Sequence, residues 1–381
     1  MAYRGFLHRS RRAEAFVAAE SLARWDSRGI SASRTVALGF AGWKPGLGGV
    51  RNHLQMIDQC SSHRTRIFPG STAMRLTDRD SYVSALWRPS RARALRGFGV
   101  LHSHVDPQFI RACRTAGESG SPWVHTYHTL YFHETAAGLL PWKAEINRAL
   151  IEDARHADVR IAVSPWLQAM LRDKYGIDSV CVPNGVDIAR CERALGDRFT
   201  SRTGLSRFIV FVGSLDPVKN ADLFMDLAEA TADKTFVMIG KNLTVGALRV
   251  HRKRDLPRNL IPLGPLSHSD TLDAIAAAQA MVMPSHVEGF PTALLEAMAL
   301  GKPVVATNGS GCRDAVGDDS SGVLFERGNL EAAKAGLEVA LNQPDIGNNA
   351  ARRVRDLFDW QVVIRQLDAI YERLMQGGRG A

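Results

Sequence analysis

MVMPSHVEGFPTALLEAMALGKPVVAT, residues 281–307, reads as strand, loop, helix and strand in succession. Ala280-Met281-Val282-Met283 is a short apolar run of the kind that forms a buried strand. Pro284 and Ser285 break it, and Glu288-Gly289-Phe290 form a loop. Pro291 stands where a helix starts, because its fixed φ suits the first turn and its missing N–H loses nothing there. Thr292 to Leu300 is helix-forming, Gly301 ends the helix, and Pro303 to Thr307 is a second buried strand.

Two carboxylates flank this helix start. Glu288 projects from the loop at the carboxyl end of a strand, where open α/β sheets place their ligands. Glu296 lies in the second helical turn, and helical side chains lean toward the N-terminus, so it points back at the same mouth. Between them the free N–H groups of the first turn and the helix dipole suit an anion. Two acceptors for hydroxyls beside a phosphate-friendly helix start match a nucleotide sugar. A helix with one capping and one solvated glutamate gives the same pattern, so spacing by itself leaves both readings open.

The segment resembles the E-x7-E signature of the family 4 retaining glycosyltransferases, and GFPTALLEAMA and Gly301-Lys302-Pro303-Val304-Val305 match beyond the two acids. The resemblance implies an α/β chain of GT-B fold: two doubly wound, Rossmann-like parallel-sheet domains facing a cleft, with a C-terminal helix crossing back to the first. It implies that Glu288 contacts the donor sugar and Glu296 the ribose. The backbone of Gly289 and Phe290 would then line the sugar pocket. VHTYHTLYF resembles the family's V-x-T-x-H stretch, which brings His128 to the sugar from the opposite wall. Val212-Gly213-Ser214-Leu215 through Lys219 resembles V-G-R-L-x-x-x-K, whose Arg and Lys clamp the donor diphosphate. Lys219 is in register, but Ser214 stands where the family has Arg, so one cation is missing; either Ser214 donates a hydrogen bond to the donor there, or Lys241 or Arg313 replaces the cation. With no trustworthy D-x-D clamp, Lys219 and the helix start at Pro291-Thr292 are left to take up the diphosphate charge.

The bounds agree. A chain of 381 residues has room for two domains, and 45% apolar with 23% charged residues is a soluble globular composition. No run approaches the roughly 18 apolar residues of a membrane span. MAYRGFLHRSRRAEAF lacks a signal-peptide core, and five scattered cysteines without C-x-x-C fit reduced thiols in a cytoplasm. Charge is uneven: residues 1–200 carry 28 Lys and Arg against 18 Asp and Glu, residues 201–381 carry 20 against 21. A basic N-terminal half attracts anionic lipid headgroups or a phosphate-bearing acceptor; an arginine-rich solvated surface gives the same count. Without aromatic interleaving, nucleic acid is not an expected partner.

In chain order, residues 1–32 read as an extension, 33–190 as an acceptor-side domain, 207–358 as the nucleotide-sugar domain and 359–381 as the returning helix. Thr35 to Phe40 is a strand running into Gly46-Leu47-Gly48-Gly49 and then a helix to about Cys60. Such a turn lets backbone N–H groups reach a phosphate or sugar, and in relatives of this family it faces the cleft, which assigns Gly48 and Gly49 to the donor. It lacks G-x-G-x-x-G order, which disfavours a nicotinamide enzyme. Arg64 to Arg96 resists parsing, and Ile188–Ser206 reads as a polar linker. Five histidines, His102, His104, His125, His128 and His133, crowd one region. Period-two spacing puts His102 and His104 on one strand face and His125 and His128 on opposite faces, with no carboxylate or thiolate set to complete a metal site.

The expected function is therefore a retaining, metal-independent glycosyltransferase, a hexosyltransferase without cofactor. Its donor is a UDP- or GDP-sugar and its acceptor a saccharide or lipid-linked sugar, in surface polysaccharide or glycolipid synthesis. The expected location is the cytoplasm or the inner face of the plasma membrane, in peripheral contact with anionic lipid. Alternatives are a nucleotide-sugar epimerase or hydrolase, a phosphorylase-like enzyme, a histidine-rich metal-dependent hydrolase, or a non-catalytic binding module.

Overall fold

The structure, a computed structural model, describes residues 34–40, 49–69, 92, 95–131, 139–343 and 345–377. The first lobe runs β1 (Thr35–Phe40), α1 (Gly49–Cys60), β2 (Arg64–Pro69), β3 (Val100–Ser103), α2 (Pro107–Glu118) and β4 (Trp123–Tyr127). It continues with α3 (Pro141–Arg148), β5 (Val159–Ala162), α4 (Pro165–Tyr175) and β6 (Val180–Cys181). Its six strands lie in the order β2-β1-β3-β4-β5-β6, all neighbours parallel. β3 and β4 are buried along their whole length, and their polar side chains, His102, Ser103, His125 and Thr126, are buried with them. The helices start where the sequence supplies caps: Asp106 accepts from the Gln108 N–H and Ser164 from that of Leu167, each followed by proline.

The second lobe repeats the plan. It comprises α5 (Ile188–Glu192), α6 (Gly196–Thr203), β7 (Phe208–Ser214), α7 (Ala221–Ala230), β8 (Thr235–Lys241), α8 (Val245–Arg252) and β9 (Leu260–Gly264). Then come α9 (His268–Ala277), β10 (Ala280–Met283), α10 (Thr292–Ala299), β11 (Val304–Thr307), α11 (Ser310–Val316), β12 (Val323–Phe325), α12 (Leu330–Asn342) and α13 (Asp345–Leu357). The sheet order is β12-β11-β10-β7-β8-β9. Read from β9 this is the 3-2-1-4-5-6 order of a doubly wound nucleotide-binding sheet, with its reversal between β7 and β10. In the first sheet the reversal lies between β1 and β3. Ligand crevices open at such reversals, so the loops after β1, β3, β7 and β10 are where function belongs.

The last helix, α14 (Trp360–Met375), leaves the second lobe and returns to the first. Trp360, Val363, Ile364, Leu367, Tyr371 and Leu374 form one stripe, packed against Val36, Leu38, Leu54, Ile57 and Val100. Asp368 accepts from Ser61 Oγ at 2.6 Å and from the Ser62 N–H at 2.8 Å, fixing the helix to the end of α1. All five cysteines are free thiols. Among the described residues no helix is long and apolar enough to cross a membrane.

Several expectations are corrected. The supposed linker is helical: α6 packs Gly196 against the Ala276 backbone, and Arg198 holds the buried Asp273 at 2.5 and 2.6 Å. Gly309-Ser310-Gly311 forms the entry into α11. α3 is α-helical to Arg148, then the chain passes through a π turn (Ala149–Asp153) and a 3-10 turn (Ala154–His156). Arg64–Pro69, left unparsed, is the edge strand β2.

Candidate active site

Lys219 and Glu288 meet at the reversal of the second sheet. After β7, Asp216 accepts from the Val218 N–H at 3.3 Å and starts a 3-10 turn, Pro217–Lys219, that ends in left-handed Asn220. This turn carries the Lys219 ammonium onto both oxygens of Glu288, at 2.7 and 2.8 Å. Glu288 is pinned from behind, its N–H donating to Ser310 Oγ at 3.0 Å and its carbonyl accepting from the Gly311 N–H at 2.9 Å. Its side chain is 9% exposed and that of Lys219 30%. Burial works against the ammonium, but the charges of Glu288 and Asp216 more than offset it, so the Lys219 pKa is raised. The sequence gives these two residues separate tasks; the structure joins them as one bidentate pair.

Glu296 sits in the second turn of α10, almost buried, with Oε1 at 2.6 Å from His268 Nε2. His268 is the first residue of α9, behind the Ser267 cap, and nothing local in PLSHSD marks it as a partner of Glu296. Thr292 opens α10, and Pro291 occupies the N-cap position. Thr292 Oγ1 lies 3.7 Å from where a Cβ on Gly49 would stand, so the N-terminal ends of α1 and α10 face each other across the lobes. Two positive helix ends converge there. Gly48 lies outside the described residues.

Ser214 closes β7 in register with Lys241 of β8, one of the two candidates for the missing arginine. Arg313, the other candidate, is exposed and donates to Asn308 Oδ1 at 3.0 Å. A third cation escaped the sequence reading. Lys143, on α3 of the first lobe, reaches Asp216 at 3.2 Å and lies over the Tyr131 and Trp142 rings at 5.2 and 5.6 Å.

The first lobe supplies the other wall. β4 ends at Tyr127, so His125 and His128 do not share one strand. His125 turns to Ser103 Oγ at 2.8 Å, while His128 Nε2 meets His104 Nδ1 at 3.0 Å. His102 is satisfied on both nitrogens, by Tyr371 Oη at 2.7 Å and Thr126 Oγ1 at 2.8 Å. His53 of α1, which no motif singled out, packs edge-on against both His104 and His128. His133 lies outside the described residues. The His128 carbonyl abuts Gly289, and Asn184 of the PNGVD turn donates to the Phe290 carbonyl at 3.0 Å. Thus contacts link His128 to Gly289 and Lys219 to Glu288 across one loop between the lobes, and Glu296 is engaged by His268.

Burial first, and neighbouring imidazoles second where they face one another, keep these rings neutral: His128 is pulled down to about 4 and His102 to about 3. The sign of the consequence is fixed. Unfolding lets each ring return to its ordinary value of 6.5 and bind a proton that the folded state refuses. Their contribution to stability is complete above pH 6.5 and is lost as pH falls toward 4 and then 3. The thermal midpoint should therefore drop steadily as pH falls from 6.5 to 4. A flat midpoint across that window would show that these rings are not desolvated.

Two family descriptions match the chain: Glycosyltransferase Family 4 over residues 51–190 and Glycosyl transferases group 1 over residues 198–356. A D-inositol 3-phosphate glycosyltransferase of Geodermatophilus obscurus is 28% identical over 316 residues, covering 76% of this chain and 70% of its own. The protein of that name from Kineococcus radiotolerans is 29% identical over 338 residues, covering 78% and 76%. Among solved structures, sucrose-phosphate synthase from Thermosynechococcus elongatus superposes with a TM-score of 0.75 at 19% identity, over 91% of this chain and 100% of its own. HepE of Anabaena, solved with UDP and glucose, gives 0.70 at 16% identity, over 89% and 99%. At such identities the structural likeness carries the fold alone, and that fold is GT-B.

Proposed function

The chain belongs to the family 4 glycosyltransferases, and on that footing we propose that it moves a sugar from a UDP- or GDP-sugar to a saccharide or lipid-linked acceptor with retention at the anomeric carbon. The observation that carries this reading is the Lys219–Glu288 pair at the sheet reversal, walled by Gly289 against His128 of the other lobe. Sugar transfer passes through an oxocarbenium-like centre while charge gathers on the departing diphosphate. Lys219 and the first-turn N–H groups of α10 take up that charge, each fixed donor contributing about 2.7–4 kcal/mol in a water-poor site. Glu288 accepts from sugar hydroxyls, Glu296 from the ribose, and His128, neutral at the working pH, meets the sugar from the acceptor side. Closure of the lobes excludes water and limits hydrolysis of the donor. No metal is assigned a step.

The work fits surface polysaccharide or glycolipid synthesis in the cytoplasm, with the basic N-terminal half lying against anionic lipid at the membrane face. A second acceptor reading is favoured by a specific observation. Relatives over most of the chain are named for inositol 3-phosphate, and the same basic half suits a phosphorylated polyol.

A thermal-shift screen over UDP- and GDP-sugars, followed by transfer of labelled sugar to saccharide, lipid-linked and inositol-phosphate acceptors, tests the proposal. At a hundredfold excess over Kd the matching donor should stabilise the protein by about 2.7 kcal/mol. Glu296→Ala should lose most of that shift, and label should appear in a glycoside. Label released only as free sugar would make the protein a hydrolase, and a protein that no nucleotide sugar stabilises would sink the reading outright.

A further inference from the structure

We propose that His53, His104 and His128 form a binding site for a divalent transition-metal ion of the zinc class, set behind the donor loop. The three side chains are 4%, 1% and 8% exposed and come from three separate elements: α1, the loop after β3 and the end of β4. Each offers one ring nitrogen, and the three nitrogens lie within 4.8 Å of one another. Zinc–nitrogen bonds of about 2.0–2.1 Å in a tetrahedron set ligand nitrogens about 3.4 Å apart. The His104–His128 pair, at 3.0 Å, is already inside that spacing, and rotation of buried imidazoles closes the rest.

Unanswered buried nitrogens concentrate in this cluster, although His63, His125 and His268 elsewhere each leave one among the described residues. Among the described residues no partner meets hydrogen-bond geometry at either nitrogen of His53, at Nε2 of His104 or at Oδ1 of Asn184, although the Asn184 side chain is close enough to His53 and His128 to favour their protonated forms. A buried polar atom left unanswered costs about 1–3 kcal/mol. His102, in ring contact with His104, is by contrast answered by a hydroxyl on each nitrogen. Burial holds all three cluster rings neutral, which is the form that ligates. A set of imidazoles with no carboxylate selects zinc, copper or nickel and rejects magnesium and calcium. Three histidines leave one position open, toward Asn184 or water.

The functional consequence rests on the reading of His128 as a donor-facing residue. Ligation through Nε2, which faces His104, fixes the orientation of the ring that meets the sugar, so zinc opposes transfer and the nucleotide sugar opposes zinc. The test is titration of the full-length protein with Zn2+ against a chromogenic chelator, with Co2+ as a spectroscopic substitute and Mg2+ as control. One Zn2+ should bind per chain, with a tetrahedral Co2+ visible band and no binding of Mg2+. His53→Asn and His104→Gln should each weaken zinc at least tenfold; two variants guard against one that fails to fold. No Zn2+ binding by the folded protein, or equal binding in both variants, overturns the site. A stabilising nucleotide sugar should weaken zinc in proportion to its occupancy. Zinc held equally well by the donor-saturated protein keeps the metal site and removes His128 from the donor, so the two readings fail separately.

Discussion

Lys219→Ala should lower kcat/KM for sugar transfer by about a hundredfold or more, the loss expected when one fixed charge-stabilising group is removed. Glu288→Ala should cost a similar factor. Their contact makes a sharper expectation available. The ammonium meets both carboxylate oxygens, at 2.7 and 2.8 Å, so each residue sets the position and charge of the other. Removing Lys219 leaves a nearly buried carboxylate unpaired, and removing Glu288 leaves an ammonium that binds diphosphate in the wrong place. The double variant should then lose little more than either single one, because groups that act as a unit are strongly non-additive. Steady-state kinetics on the three variants, with circular dichroism to confirm folding, decides. Near-native turnover in either single variant would remove the assigned role. Losses that multiply would mean two independent tasks, as the motifs alone suggested.

What the sequence made legible was what repeats locally. Both sheets follow from apolar runs punctuated by glycine and proline, and Glu288, Glu296, Lys219 and His128 stand in motifs with fixed spacing. What it hid was non-local. His53 is a single histidine on an amphipathic helix, and only the fold brings His104 and His128 to it. His268 and Glu296 meet from different helices, and Lys143 crosses between lobes to reach Asp216. Neither pairing leaves a period or a spacing. β2 was missed for a different reason: RTRIFP is an edge strand that opens Arg-Thr-Arg, and its exposed arginines mask it. The helix α6 was missed because it offers the core a single apolar residue, Phe199, and is otherwise clasped by Arg198 on the buried Asp273, a non-local contact. The glycines at the entry into α11 look in sequence like points of freedom. Gly311 is instead a fit: a methyl on it would overlap the Gly289 carbonyl.

That packing makes Gly289 the position where the smallest change should have the largest effect. A methyl on Gly289 would overlap the carbonyl oxygen of His128, which is backbone and has no rotamer by which to step aside. The difficulty is contact between lobes and not φ, since Gly289 is not among the residues with positive φ. In Gly289→Ala the loop must withdraw from the first lobe, drawing the Phe290 carbonyl from Asn184, now at 3.0 Å, and tilting Glu288 with it. A displacement of about 1 Å at a reacting centre costs about a hundredfold in rate. Transfer by Gly289→Ala should fall by about that factor or more, chiefly in kcat, because the nucleotide is held within the second lobe. Gly309→Ala is the matched control: nothing lies within 4 Å of an added Cβ there and φ is 169°, an extended backbone that alanine adopts freely. It should behave as the native protein. If Gly289→Ala turns over at the native rate, the lobes do not press together at His128 when sugar is transferred, and the wall assigned to that histidine is not the one the donor meets.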